Sequence, residues 1–173
     1  MTAELYQLLL SRTMTTDELR RAIEAAGAEK AVLWNWDSRF MELARHFAGW
    51  SKDDGTKVGA VVVGPHREVR ATGYNGFPPG VRETSERCKR PRKYLFTEHA
   101  ERNAIYFAAL NGVSLEYCTL YVTMAPCADC ARGIIRAGIR RVVCPRPDRD
   151  DWAESHAAAM EMMSEAGVEV VTV

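Results

Sequence analysis

The chain is 173 residues long, 47% hydrophobic and 27% charged, with 23 basic and 23 acidic residues that leave no formal net charge at pH 7. That size suits a single domain with a substantial core, and the charge balance argues against the electrostatic footprint of a nucleic-acid binder, so no nucleic-acid partner is expected. There is no run of about 18 apolar residues for a membrane span, Leu8-Leu9-Leu10 is too short and too poorly flanked for a signal peptide, and an odd total of five cysteines disfavours a disulfide framework, which together predict a cytoplasmic protein with no membrane partner.

Residues 1–33 read as an N-terminal helical accessory arm, in which Thr15-Thr16-Asp17-Glu18 has capping-box form and opens a short helix ending near Gly27. A second helix is predicted over 38–49, with His46 solvated between the apolar positions Phe40, Leu43, Ala44, Phe47 and Ala48. Two β-rich runs, 58–63 and 68–72, are joined by Gly64-Pro65-His66-Arg67 and read as a hairpin with a solvated His66. Gly73-Tyr74-Asn75-Gly76 reads as a tight turn. The loop that follows carries Arg82, Arg87, Lys89, Arg90, Arg92 and Lys93 against Glu83 and Glu86, while Lys52 and Lys57 flank the first strand. Beyond it the pattern alternates: helix 99–110, strand 120–123, helix 127–137, strand 141–144, helix 152–166, strand 168–173. Such alternation predicts an α/β fold with a mixed five-stranded sheet covered by helices on both faces, a three-layer arrangement.

The chemistry concentrates in TEHAERNAIYFAA and MAPCADCARGIIRAGI. His99, Cys127 and Cys130 are the expected zinc ligands, one ion per chain, and Glu101 is an unligated carboxylate. Structural zinc takes four protein ligands, whereas a catalytic site keeps one position for water; three ligands therefore predict a catalytic site. Two thiolates and a neutral imidazole still let the ion polarise water enough to form hydroxide near neutral pH. Cys127 and Cys130 share one face at a helix start, where the N-terminus favours thiolates and Pro126 suits the entry. Glu101 is expected to take a proton from that water and hand it on to the substrate. In an ideal helix His99 and Glu101 point about 200° apart, so both can face one ion only if His99 stands at the very start of its helix. A fourth ligand such as Cys88 would close the site and make it structural. Cys118 and Cys144 sit beside apolar runs and read as core residues, and His156 as solvated or partly packed.

H-x-E followed by P-C-x-x-C is the signature of zinc nucleobase deaminases, and residues 34–173 resemble the cytidine and deoxycytidylate deaminase superfamily, the deoxycytidylate branch above all. Trp36-Asp37-Ser38-Arg39-Phe40-Met41, Ser51-Lys52-Asp53, Lys57-Val58-Gly59-Ala60-Val61 and Glu165-Ala166-Gly167-Val168 are similar to the family's landmarks, and Gly73-Tyr74-Asn75-Gly76-Phe77-Pro78 marks the dCMP branch. The resemblance implies the cytidine-deaminase-like fold and hydrolysis of dCMP to dUMP and ammonia, which feeds dTMP synthesis. It also implies that Asn75 hydrogen-bonds the deoxyribose and that the Ala100 backbone N–H holds the pyrimidine carbonyl. It further implies a homo-oligomer, a hexamer among the options, with dCTP and dTTP as regulators, although Leu110 stands where some relatives carry an Arg tied to subunit contacts and regulation. Residues 133–136 and 160–163 offer a mixed apolar surface for assembly. Thr97 replaces the His that serves a second, structural zinc in some members, so one zinc is expected. Lys52, Lys57, Arg82, Arg87 and Lys89 are the candidate phosphate contacts. A free cytidine or deoxycytidine deaminase would have no need of the basic loop, a tRNA adenosine deaminase would show more basic surface, and a non-catalytic zinc scaffold would be indifferent to Glu101.

Overall fold

The computed structural model describes residues 35–147 and 150–173; the capping-box helix and the arm expected over 1–33 lie outside them. The chain divides into units at 1–39 and 40–173, and the second carries the sheet. Helix α1, Trp36–Ala48, begins two residues before the predicted start. Asn35 explains the difference: its side-chain oxygen accepts the Asp37 N–H at 3.1 Å, in the manner of an N-cap.

Five strands follow, β1 Gly59–Val63, β2 Val69–Tyr74, β3 Thr119–Val122, β4 Arg141–Cys144 and β5 Glu169–Thr172, in the order β2-β1-β3-β4-β5. β1 is antiparallel to both its neighbours and the last two pairings are parallel, so the sheet is mixed as predicted. The parallel links are made by crossover helices α3, Ala128–Arg136, and α4, Ala153–Glu165, while α2, Ala100–Leu110, connects β2 to β3. One face packs Ala60, Val62, Leu120 and Val142 against Ala100 and Ala104 of α2, Ile134 of α3 and Met163 of α4. The opposite face packs Val61, Val63, Tyr121 and Val143 against Phe40, Met41 and Ala44 of α1. Every residue of β1 is buried because helices cover both its faces.

Two glycines let the helices come this close. A Cβ on Gly59 would stand 2.0 Å from the Ala44 carbonyl oxygen, and one on Gly73 would stand 2.3 Å from the Ala100 carbonyl oxygen. Gly73 and Tyr74, expected in a turn, are therefore strand: Gly73 pairs with Ala60 and makes the bare patch on which the first turn of α2 rests. The chain leaves the sheet at Asn75.

Cys118 and Cys144 are buried, and burial pushes the Cys144 thiol up to about 11, as befits an inert core residue. His46 and His66 are exposed as predicted. His156 is instead buried in α4, its ring stacked at 6.4 Å on Trp152. The surface expected for assembly at 133–136 and 160–163 is largely turned inward: Ile134 and Met163 are fully buried and Ile135, Met160 and Met162 pack on the core.

Candidate functional site

The N-termini of α2 and α3 supply the metal corner. His99 is the N-cap of α2 and Cys127 the N-cap of α3, both with extended backbone, and Cys130 lies in the first turn of α3. Two tethers fix the approach of His99. Glu98 and Gly76 exchange backbone hydrogen bonds of 2.8 and 3.0 Å, and the Glu98 carboxylate accepts the His99 N–H at 2.9 Å and the Arg102 Nε–H at 2.7 Å. Across the corner, the Ser155 hydroxyl of α4 accepts the Ala128 N–H at 3.0 Å and steadies the start of α3.

His99 Nδ1 stands 3.5 Å from Cys127 Sγ and 3.4 Å from Cys130 Sγ, and the ligand atoms of all three residues lie within 4.8 Å of one another. Tetrahedral zinc, with bonds of about 2.3 Å to sulfur and about 2.0 Å to nitrogen, needs sulfur and nitrogen about 3.6 Å apart, so the donor set fits the ion. Cys88 is exposed and belongs to no such cluster; among the described residues the group has three ligands, which leaves a position for water. Hydrogen bonding from Cys130 outweighs burial and draws the Cys127 thiol down to about 3, while the same bond and burial hold the Cys130 proton on. Hydrogen bonding to Cys127 in turn raises His99 against the opposing effect of burial.

Glu101 is 4% exposed and lines the same cleft. Its burial raises the carboxyl pKa, an effect that the nearby His99 only partly offsets. His99 and Glu101 reach one cavity because the cap residue has left helical geometry while Glu101, two residues on, is already in the helix.

One cleft extends from the metal corner to the loops. Around the metal corner its walls are Ala100, Met124, Ala125, Trp152 and His156, and on the loop side Asp53, Thr56, Asn75, Arg90, Lys93 and Tyr94. Asn75 is 7% exposed, and its amide is already engaged: Oδ1 accepts the Val58 N–H at 2.8 Å and Nδ2 donates to the Thr56 carbonyl at 2.8 Å. It holds the loop wall in shape, and these two bonds use one of its two amide N–H groups and one of its two carbonyl lone pairs. Asp53 does similar work. Its Oδ1 accepts the N–H groups of Gly55 and Thr56 at 2.7 and 3.1 Å, and Lys93 Nζ reaches both carboxylate oxygens at 2.8 and 2.7 Å. Burial pushes Asp53 up, but Lys93 and the two backbone donors prevail and hold its carboxyl below the ordinary 3.8.

The predicted phosphate contacts fall elsewhere. Lys52, Lys57, Arg82, Arg87 and Lys89 do not line this cleft. Lys52 pairs with Glu83 at 3.1 Å in a neighbouring hollow, and Arg87 lies 4.7 Å over the Phe96 ring while donating to the Arg82 carbonyl. Lys57, Arg82 and Lys89 are exposed. Arg90 and Lys93, indistinguishable in the sequence from the rest of the basic run, are the two of that run that reach the cleft. Trp152 was missed too; it sits just before α4 and carries no local signal, since only the folding of α4 beside α3 brings its ring to 5.8 Å from His99.

Residues 34–145 match the profile of the cytidine and deoxycytidylate deaminase zinc-binding region. The uncharacterized deaminase in luxG 3'region of Aliivibrio fischeri is 43% identical over 80% of this chain and 94% of its own length. The deoxycytidylate deaminase of Homo sapiens is 36% identical over 77% of this chain and 76% of its own. In structure the chain is similar to the dCMP deaminase of the cyanophage S-TIM5, solved in apo form, with a TM-score of 0.65 and 30% identity over 79% of this chain and 96% of that one. The same phage enzyme is also known in complex with dCMP and dUMP, and that structure has a TM-score of 0.65 and 29% identity over 78% of this chain and 94% of that one.

Proposed function

Because the chain belongs to the cytidine and deoxycytidylate deaminase family, we propose that it is a zinc-dependent hydrolase that converts dCMP to dUMP and ammonia. The observation that carries this reading is a three-donor cluster of which His99 and Cys127 line one cleft with the buried Glu101. Curated relatives that are deoxycytidylate deaminases and the phage enzyme seen with dCMP and dUMP supply the substrate.

Held by His99, Cys127 and Cys130, zinc would supply the Lewis acidity that makes water a nucleophile near neutral pH. Glu101 takes a proton from the attacking water and passes it to the pyrimidine ring nitrogen. Burial, which disfavours its ionised form, suits a group that must both take and give protons. Once oxygen has added at C4, Glu101 takes the second proton from the new C4 hydroxyl and delivers it to the amine, so that the C4–N bond breaks, the C4 carbonyl forms and ammonia leaves. Ala100 follows the cap of α2, where backbone N–H groups have no partner inside the helix, and its N–H would hold the pyrimidine carbonyl. Asn75 offers its remaining N–H and lone pair to the sugar.

Ammonia release measured side by side from dCMP, CMP, deoxycytidine and cytosine tests the assignment. The expected result is a clear preference for dCMP; equal use of dCMP and deoxycytidine would leave only a zinc pyrimidine deaminase. A reducing cytoplasm suits a site that needs two free thiolates, and among the described residues no helix is long and apolar enough to cross a membrane. We also infer a homo-oligomer formed through α2, which exposes Tyr106, Phe107 and Leu110 at 54%, 52% and 84%. Light scattering that finds a monomer at micromolar concentration refutes this, and titrating dCTP and dTTP into the assay tests whether they regulate the enzyme.

A further inference from the structure

Resting on the dCMP reading, we propose that Arg90 meets the substrate's phosphate and thereby selects nucleotide over nucleoside. The sequence offers six basic residues between 82 and 93, and the fold separates them. Two reach the cleft that holds His99 and Glu101, Arg90 and Lys93. Lys93 is 7% exposed and gives its ammonium to both oxygens of Asp53, so that its charge is cancelled where it stands. Arg90 is exposed and makes no ion pair among the described residues.

Its guanidinium carbon lies 5.7 Å from the centre of the Tyr94 ring, another cleft residue. From there one wall continues ring by ring toward the metal corner: Tyr94 to Trp152 at 6.4 Å, Trp152 to His99 at 5.8 Å. A nucleotide with its base at His99 and Glu101 carries its phosphate at the opposite end of the molecule, and Arg90 lies three contacts along this wall from His99. A guanidinium beside the Tyr94 ring can offer its N–H edge to phosphate oxygens, a two-pronged match that an ammonium does not provide.

The test compares dCMP and deoxycytidine as substrates of the zinc-loaded full chain and of Arg90→Ala, Arg90→Lys and Arg82→Ala. Loss of a charge-assisted contact predicts that Arg90→Ala lowers the preference for dCMP over deoxycytidine by about 10-fold or more, through the KM for dCMP, with zinc content unchanged. Arg90→Lys should recover part of it, and the rise of the dCMP KM with added salt should flatten in Arg90→Ala. A preference within twofold of the unaltered enzyme overturns the inference alone, as does the same loss in Arg82→Ala with Arg90→Ala near normal. An unaltered enzyme inert on dCMP overturns the dCMP reading itself, and the inference with it.

Discussion

On the metal side of the cleft each chemistry-bearing side chain hangs from a helix N-terminus that is packed on the sheet, whereas on the loop side the charged residues are held chiefly by one another. His99, Glu101, Cys127 and Cys130 owe their positions to α2 and α3, whose inner faces are fully buried. Asp53 with Lys93 and Lys52 with Glu83 are set by ion pairs between segments distant in sequence, and Glu86 with Arg92 by a pair within one loop. Helix ends place a residue by local rules, so the first wall is fixed wherever those helices form. Loop pairs are decided in three dimensions, and counting charges along the second wall says little about which of them is available.

The comparison breaks most severely at the metal corner. Cys127→Ala or Cys130→Ala should lose both zinc and turnover, because two donors cannot hold the ion tightly. Metal analysis of the unaltered protein should give one zinc per chain, and two or none would contradict the site. Next in size is Glu101→Gln, which should keep zinc and fold yet lose at least about 10²-fold to 10⁴-fold in turnover; near-normal deamination by that variant would sink the proton-shuttle role.

On the loop wall the expected loss is one of stability. The Lys93 and Asp53 side chains are 9% and 11% exposed, so Lys93→Met should leave a buried carboxylate unpaired and cost about 3 kcal/mol in chemical denaturation, the low end for a broken buried pair. The pH dependence follows from the lowered Asp53 pKa. Its stabilisation is complete above the unfolded value near 3.8 and is lost as pH falls through the lower folded value, so Asp53→Asn should flatten that part of the acid-unfolding curve. An unchanged curve would mean that the pair contributes nothing. The smallest effect should be Lys52→Ala: its partner Glu83 is 39% exposed and Lys52 itself 77%, so the change in stability should stay under about 1 kcal/mol. A larger loss would show that the neighbouring hollow matters more than its exposure suggests.

The sequence by itself determined the metal side. Strands and helices follow local periodicity, and the spacing of His99, Glu101, Cys127 and Cys130 carries its chemistry wherever a helix starts at each motif, as α2 and α3 do. It could not show that Gly73 is strand, since what requires glycine there is the Ala100 carbonyl, brought in from another element. Nor could it separate Arg90 and Lys93 from Arg82, Arg87 and Lys89, or find Trp152, because reaching the cleft depends on contacts between segments far apart in the chain. Asn75 shows both sides at once: the residue is legible in its motif, but its engagement with Val58 and Thr56 exists only once the hairpin and the loop before it have folded together. Tertiary structure alone decided which charges cancel and which line the cleft, because an ion pair depends on distance in space and the sequence records only distance along the chain.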